Sequence, residues 1–124
     1  MREDLVENPR LRLRLTFDNG LVLGPGKADL LDGIAEHGSI SAAGRRMKMS
    51  YKRAWMLVEE MNAAFMEPLV ESNRGGAKGG GARLTPAGEA VLARFRSLEA
   101  LVFDGGAPQI DALKAMLRDI PDEK

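Results

Sequence analysis

Five of the eight residues from Arg74 to Gly81 are glycine, and neither a helix nor a sheet ladder holds through so much backbone freedom. The flanks read differently. Leu69-Val70-Glu71 and Ala82-Arg83-Leu84 are short strand signals, which predicts a hairpin whose tip runs from Ser72 to Gly81. Arg74 and Lys78 stand on that tip, where glycine lets the backbone approach a ligand closely. Both cations can then settle on a phosphate backbone or in a minor groove. Taken alone the segment reads as a solvated loop, and what precedes it changes that reading.

From Gly38 the sequence describes two helices joined by a turn. Ser39 and Ser41 offer capping hydroxyls to a short helix through Ala42, Ala43, Gly44, Arg45, Arg46 and Met47, whose small residues allow close approach of another helix. The chain turns at Lys48 and Met49. Ser50 then caps a second helix through Tyr51, Trp55 and Met61 to about Phe65. Ala54, Leu57 or Val58, Met61 and Phe65 recur at helical spacing and predict the inward face, which leaves Tyr51 and Lys52 outward and Trp55 on the border. A cationic first turn on such a helix suits base edges in a major groove, with neighbouring basic side chains on phosphates.

The formal net charge is zero, so the placement of charge matters more than its sum. Between His37 and Val58 the charged residues are Arg45, Arg46, Lys48, Lys52 and Arg53, without a carboxylate. Between Ser72 and Gly88 they are Arg74, Lys78 and Arg83, again without one. Asp29, Asp32 and Glu36 fall in an earlier helix, and Asp119, Asp122 and Glu123 near the end. This segregation predicts a basic face on a neutral molecule, with binding that weakens as salt rises.

The remaining pattern supplies a scaffold. Arg10, Arg12, Arg14 and Thr16 alternate with Leu11, Leu13, Leu15 and Phe17, the period of a half-buried strand whose arginines face solvent. Asp18-Asn19-Gly20 turns the chain, and Leu21-Val22-Leu23 returns as the partner. After Gly24-Pro25-Gly26 a helix carries Leu30, Leu31, Ile34 and Ala35 on one face and ends near His37-Gly38. Thr85-Pro86 starts another, with threonine as cap, that extends to about Phe103. Its Val91, Phe95, Leu98 and Val102 form a seam suited to packing against another helix, either in the chain's own core or as the same helix of a second subunit, and the second is preferred because a dimer presents two recognition helices to a palindromic site. Asp104-Gly105-Gly106-Ala107-Pro108 breaks the chain before a short helix from Ile110 to Leu117.

Several chemistries find no support. Gly20 to Lys27 resembles a phosphate-binding loop, but Leu21 stands where that motif needs glycine and Ala28 where it needs a hydroxyl. The chain has no cysteine, and His37 is its one histidine, which argues against a metal centre, a cofactor site and nucleophilic catalysis; no enzyme is expected. Met47, Met49, Met56, Met61 and Met66 read as adaptable core filler. For Trp55, stacking on a nucleotide and packing on the core are both open. No apolar run approaches the roughly 20 residues of a membrane span, and Met1-Arg2-Glu3-Asp4 lacks a signal-peptide core, so a cytoplasmic protein without membrane contact is expected.

The string Ser50-Tyr51-Lys52-Arg53-Ala54-Trp55, the following Glu60-Met61-Asn62, and Gly75-Gly76-Ala77-Lys78-Gly79-Gly80-Gly81 before Leu84-Thr85 resemble the N-terminal domain of the ModE-type molybdate-responsive regulators. Gly38-Ser39-Ile40-Ser41-Ala42-Ala43 and Leu84-Thr85-Pro86-Ala87-Gly88-Glu89 also resemble the broader LysR-type winged helix. The resemblance covers roughly Leu11 to Phe103 and implies a dimeric transcription factor with the helix after Ser50 in the major groove and the glycine hairpin as wing. It does not extend to ligand sensing. Full-length members bind molybdate in C-terminal domains built mainly of strands, and this chain runs to Lys124 through a short helical tail. No molybdate-binding domain is expected in it, which leaves sensing to another subunit or protein, to a different effector, or to none.

The fold expected is therefore α+β: a winged helix-turn-helix with a three-helix core, a β-hairpin wing, an N-terminal β-hairpin and a C-terminal dimerisation helix. Residues 1–104 form the DNA-binding domain, with the dimerisation helix at 85–103, and 105–124 a tail. The expected function is a transcriptional regulator, a repressor, that binds a palindromic operator in double-stranded DNA as a homodimer. The DNA-contacting set is Arg45, Arg46, Lys48, Ser50, Tyr51, Lys52, Arg53, Trp55, Arg74 and Lys78, and the dimer set is Val91, Phe95, Leu98 and Val102. The competing readings are a winged-helix protein-interaction module and an oxyanion sensor without sequence-specific DNA binding.

Overall fold

Helices α1 (Pro25–His37), α2 (Ile40–Arg46) and α3 (Tyr51–Ala64) cross where small residues remove the side chains that would hold them apart. A methyl group at Gly33 would stand 2.9 Å from the Ala43 Cβ, and one at Gly44 would stand 3.0 Å from the Ala54 Cβ. Around these crossings Leu30, Leu31, Ile34, Val58 and Met61 are fully buried with Leu69. The computed structural model describes residues 10–73 and 81–118. Its remaining elements are β1 (Leu15–Thr16), β2 (Val22–Leu23), β3 (Val70–Asn73), β4 (Gly81–Leu84), α4 (Pro86–Gly105) and α5 (Ala107–Ala115). The strands form two separate antiparallel pairs, β1 with β2 and β3 with β4. The architecture is α+β, a three-helix core with a wing. No helix among the described residues is long and apolar enough to cross a membrane.

Local chemistry sets the helix ends. Gly38 takes φ 72°, a left-handed conformation that glycine adopts without strain, and its N–H donates to the Ile34 carbonyl at the end of α1. Ser39 Oγ accepts from the Ala42 amide at 3.0 Å and starts α2, while Ser41 lies inside that helix and does not cap it. Ser50 Oγ accepts from the Arg53 amide at 3.0 Å and starts α3. On α1 the apolar face is Ala28, Leu30, Leu31 and Ile34, whereas Ala35 is exposed.

The N-terminal alternation survives as burial more than as pairing. Leu11, Leu13 and Leu15 are half-buried and Arg10, Arg12 and Arg14 exposed, yet only Leu15 and Thr16 are strand. The reason lies across the ladder: Leu15 pairs with Leu23, and the next residue, Gly24, already caps α1, so no strand continues opposite Arg14. The wing differs in the other direction. Val70 pairs with Leu84, Glu71 with Arg83, Ser72 with Ala82 and Asn73 with Gly81, so the ladder takes in Ser72, Asn73 and Gly81 from the expected tip. The Ala82 amide also donates to the Gly38 carbonyl at 2.9 Å, which fixes β4 to the end of α1.

Helix α4 begins at a tight joint. Thr85 Oγ1 accepts from the Gly88 amide at 2.9 Å and donates to the Pro68 carbonyl at 2.7 Å, and the Thr85 amide donates to the Leu69 carbonyl. Gly88 sits against that carbonyl, where a Cβ would overlap the oxygen. Further along, Phe95 is buried with Leu23 and Ala28, and Arg96 spans from α4 to Asp29 at 2.7 Å and Asp32 at 2.6 Å on α1, and to Glu99 at 3.0 Å. Burial works against the Arg96 charge, but hydrogen bonds to Asp29, Asp32 and Glu99 outweigh it and hold its pKa above the ordinary value. Helix α4 continues to Gly105, and α5 starts at Ala107, earlier than the expected Ile110, because Pro108 fits a first helical turn whose N–H needs no partner.

Gly88→Ala is expected to destabilise the protein by about 3 kcal/mol, because the obstacle is rigid backbone, not a side chain that can swing away. Urea unfolding measures this, and wild-type stability in the variant would refute the joint.

Candidate nucleic-acid interface

At about 3.6 residues per turn, α3 divides into faces that burial identifies. Ala54, Leu57, Val58 and Met61 point inward. Lys52, Met56, Glu59 and Ala63 form an outward stripe, all exposed. Tyr51, Trp55 and Asn62 occupy the flank toward the wing, and Arg53 and Glu60 the opposite flank, where Glu60 pairs with Lys27 of α1 at 3.4 Å. Two methionines depart from the core-filler expectation. Met56 is 52% and Met66 97% exposed, whereas Met61 is buried and Met47 and Met49 pack on the core's edge. Met56 follows the polar stripe because Leu57 and Val58 already fill the inward positions next to it.

Between α3 and the wing root lies an open cleft of about 420 Å³, lined by Ser39, Ser41, Tyr51, Trp55, Ser72 and Asn73 together with wing-root backbone. Tyr51 and Trp55 meet edge to face, with centroids 6.1 Å apart and planes at 75°. Trp55 is half-buried against the core, and its buried Nε1 finds no acceptor among the described residues. The indole ring thus packs on the core along one side and lines the cleft along the other, while Tyr51 is 59% exposed.

The sequence-predicted cations of α2, α3 and the turn between them are all exposed: Arg45, Arg46, Lys48, Lys52 and Arg53. Arg46 Nη1 lies 2.9 Å from His37 Nε2, and so is partly engaged by the end of α1. Lys48 is held at φ 60°, unusual for a residue with a side chain, because the chain must reverse between Arg46 and Ser50. On the wing, Arg83 is paired to Glu71 at 2.9 Å. Arg74 and Lys78 lie outside the described residues. No group of metal-ligating side chains occurs among the described residues.

The seam on α4 divides between two uses. Phe95, only 3% exposed, belongs to the chain's own core, and Val91 packs beside it. Leu98 is half-buried and Val102 exposed, and Leu101 and Phe103 join Val102 on the surface. Phe95 is thus not available as an intersubunit contact, since it already holds α4 to β2 and α1.

Asn62 is the residue that sequence reasoning passed over except as part of a resembling string. Its Oδ1 accepts from the Leu69 amide at 2.8 Å and the Val70 amide at 3.1 Å, and its Nδ2 donates to the Val70 carbonyl at 3.1 Å. One carboxamide therefore stands in for a neighbouring strand and ties the wing root to α3. The available signal was an asparagine in the last turn of a helix, ahead of a strand whose backbone its carboxamide can reach.

A capped, carboxylate-free helix start facing outward beside a paired hairpin defines a winged helix-turn-helix protein. Residues 27–89 match the bacterial regulatory helix-turn-helix proteins of the lysR family, and the chain belongs to that family, one of regulators rather than enzymes. Within it the similarity is to ModE-type proteins. The chain is 47% identical over 77 residues to the molybdenum-pterin-binding protein MopA of Rhodobacter capsulatus, covering 62% of this chain and 29% of that protein. It is 40% identical over 88 residues to the molybdenum transport protein ModE of Azotobacter vinelandii, covering 71% and 33%. It is 37% identical over 94 residues to the transcriptional regulator ModE of Haemophilus influenzae, covering 76% and 37%. The chain thus spans about a third of the length of these relatives. The fold matches that in the crystal structure of full-length CbnR complexed with its target DNA, with TM-score 0.52 and 24% identity over 68% of this chain and 27% of that one.

Asn62→Ala is expected to cost about 2 kcal/mol, since it leaves the Leu69 and Val70 amides without their acceptor. Amide exchange at Leu69 and Val70 should accelerate in the variant, and unchanged protection would show that the bracket does not hold the wing.

Proposed function

We propose that this chain regulates transcription by binding double-stranded DNA as a homodimer, with α3 in the major groove and the β3–β4 hairpin against the adjoining backbone. The observation that carries the reading is the first turn of α3, where Ser50 caps a helix start at which Tyr51, Lys52 and Arg53 are all exposed beside an open cleft. Helix N-termini and cations in that arrangement fit phosphates, and the residues just inside the helix reach base edges. Lys52 and Tyr51 take the base-reading role, with Ser50, Arg53 and Trp55 beside them, and Arg45, Arg46, Lys48, Arg74 and Lys78 serve the phosphates. Repression is the simplest regulation of this kind, because it needs occupancy of the operator alone.

Dimerisation through the outer half of α4 is supported by Leu101, Val102 and Phe103, which are exposed together where α4 leaves the core. In this reading residues 1–104 are the DNA-binding unit and 105–124 an appended tail, and two copies present their reading helices about 34 Å apart to a palindromic site. The names of the relatives, molybdenum-pterin-binding and molybdenum transport proteins among them, support regulated genes concerned with molybdenum. Any molybdate signal is assigned to an effector region or partner beyond the matched residues.

In mobility-shift titrations, Lys78→Ala is expected to weaken a selected duplex and a random duplex alike and to lower the salt slope by about one, whereas Lys52→Ala loses about 1–3 kcal/mol of discrimination. Absence of duplex binding by the wild type at low salt would overturn the reading in favour of a protein-interaction module. Sedimentation equilibrium tests assembly separately: Val102→Asp is expected to shift the protein to monomer and to weaken a two-half-site duplex more than a single half-site.

A further inference from the structure

We propose that Met56 is a specificity-determining residue that contacts the 5-methyl group of a thymine. The assignment rests on the reading above, in which α3 lies in the major groove. Met56 stands four residues after Lys52 on the outward stripe, 52% exposed, with Glu59 following one turn along. An unbranched apolar side chain between a cation and a carboxylate has no partner on this face, because the core lies on the opposite side of the helix with Leu57 and Val58. Among the base edges of the major groove, the thymine methyl is the one apolar group, and every other feature is a hydrogen-bond donor or acceptor. A thioether can accept only weakly and donates nothing, so Met56 has little to offer a purine or cytosine edge. Its flexible chain adapts to a methyl surface.

Spacing narrows the position further. Lys52 and Met56 are about 6 Å apart along the helix axis, which places the thymine within about two base pairs of the base that Lys52 contacts. Glu59, next on the stripe, repels phosphate and so sets Met56 at the end of the contacting surface.

The test is selection from a pool of random-sequence duplexes with the wild type, Met56→Leu and Met56→Gln, followed by replacement of the selected thymine with deoxyuridine, which removes only the methyl group. Met56 is exposed, so these variants keep the fold, and thermal melts verify it. Wild type and Met56→Leu are expected to enrich the same thymine in each half-site, and Met56→Gln to lose that preference. Deoxyuridine should lower wild-type affinity about fourfold, the worth of one buried methyl group, and leave Met56→Gln unaffected. Retention of the same thymine by Met56→Gln, or wild-type indifference to deoxyuridine, overturns the assignment alone. No enrichment by the wild type overturns the DNA reading, and the assignment with it.

Discussion

Leu69 is held from both sides, and the position of the wing depends on that grip. Its amide donates to Asn62 of α3, its carbonyl accepts from the Thr85 amide at the start of α4, and its side chain is fully buried among the helices. Gly88 lets α4 come against that carbonyl. The strand that follows, β3, has a sheet partner only in β4, so without the Asn62 carboxamide the amides of Leu69 and Val70 would be buried unpaired. Asn62 and Thr85, which satisfy this backbone, and Gly88, which lets α4 close on it, thus fix the hairpin beside α3, and the cleft between them follows.

Charge is arranged by subtraction as much as by placement. Arg96 gathers Asp29, Asp32 and Glu99, Lys27 takes Glu60, and Arg83 takes Glu71. Exposed pairs of this kind add little stability, since water and salt screen them. Their consequence is electrostatic: Asp29, Asp32, Glu60, Glu71 and Glu99 are taken up by internal partners, while Arg45, Lys48, Lys52 and Arg53 have no carboxylate partner among the described residues. The first turn of α3 and the turn before it are thereby left cationic on a neutral molecule.

Much of the fold was legible because its signals are local. Ser39, Ser50 and Thr85 each cap the helix that follows them, and Gly38 closes α1 in the left-handed conformation, so the starts of α2, α3 and α4 and the end of α1 could be read from hydroxyls and a glycine. Expectations failed where pairing or packing overruled local preference. Ser72 and Asn73 joined the strand because β4 offers a ladder opposite them, and the ladder opposite Arg14 was missing because Gly24 starts a helix. Phe95 fits an intersubunit seam by spacing, but periodicity gives the direction of a face and not what covers it. Met56 and Met61 are the same residue type in the same helix, and only their phase against Ala54 and Leu57 separates a surface position from a core one.

The sequence by itself determined the order of the helices, the caps that start α2, α3 and α4, the hairpin between α3 and α4, and the separation of cations from carboxylates along the chain. These depend on caps, turns and periodicity within a few residues. Tertiary structure decided how the wing meets α3 and which half of α4 stays on the surface. Those outcomes come from contacts between residues distant in sequence, such as Asp29 with Arg96 or Gly38 with Ala82, where burial and backbone hydrogen bonding are satisfied only after the segments meet.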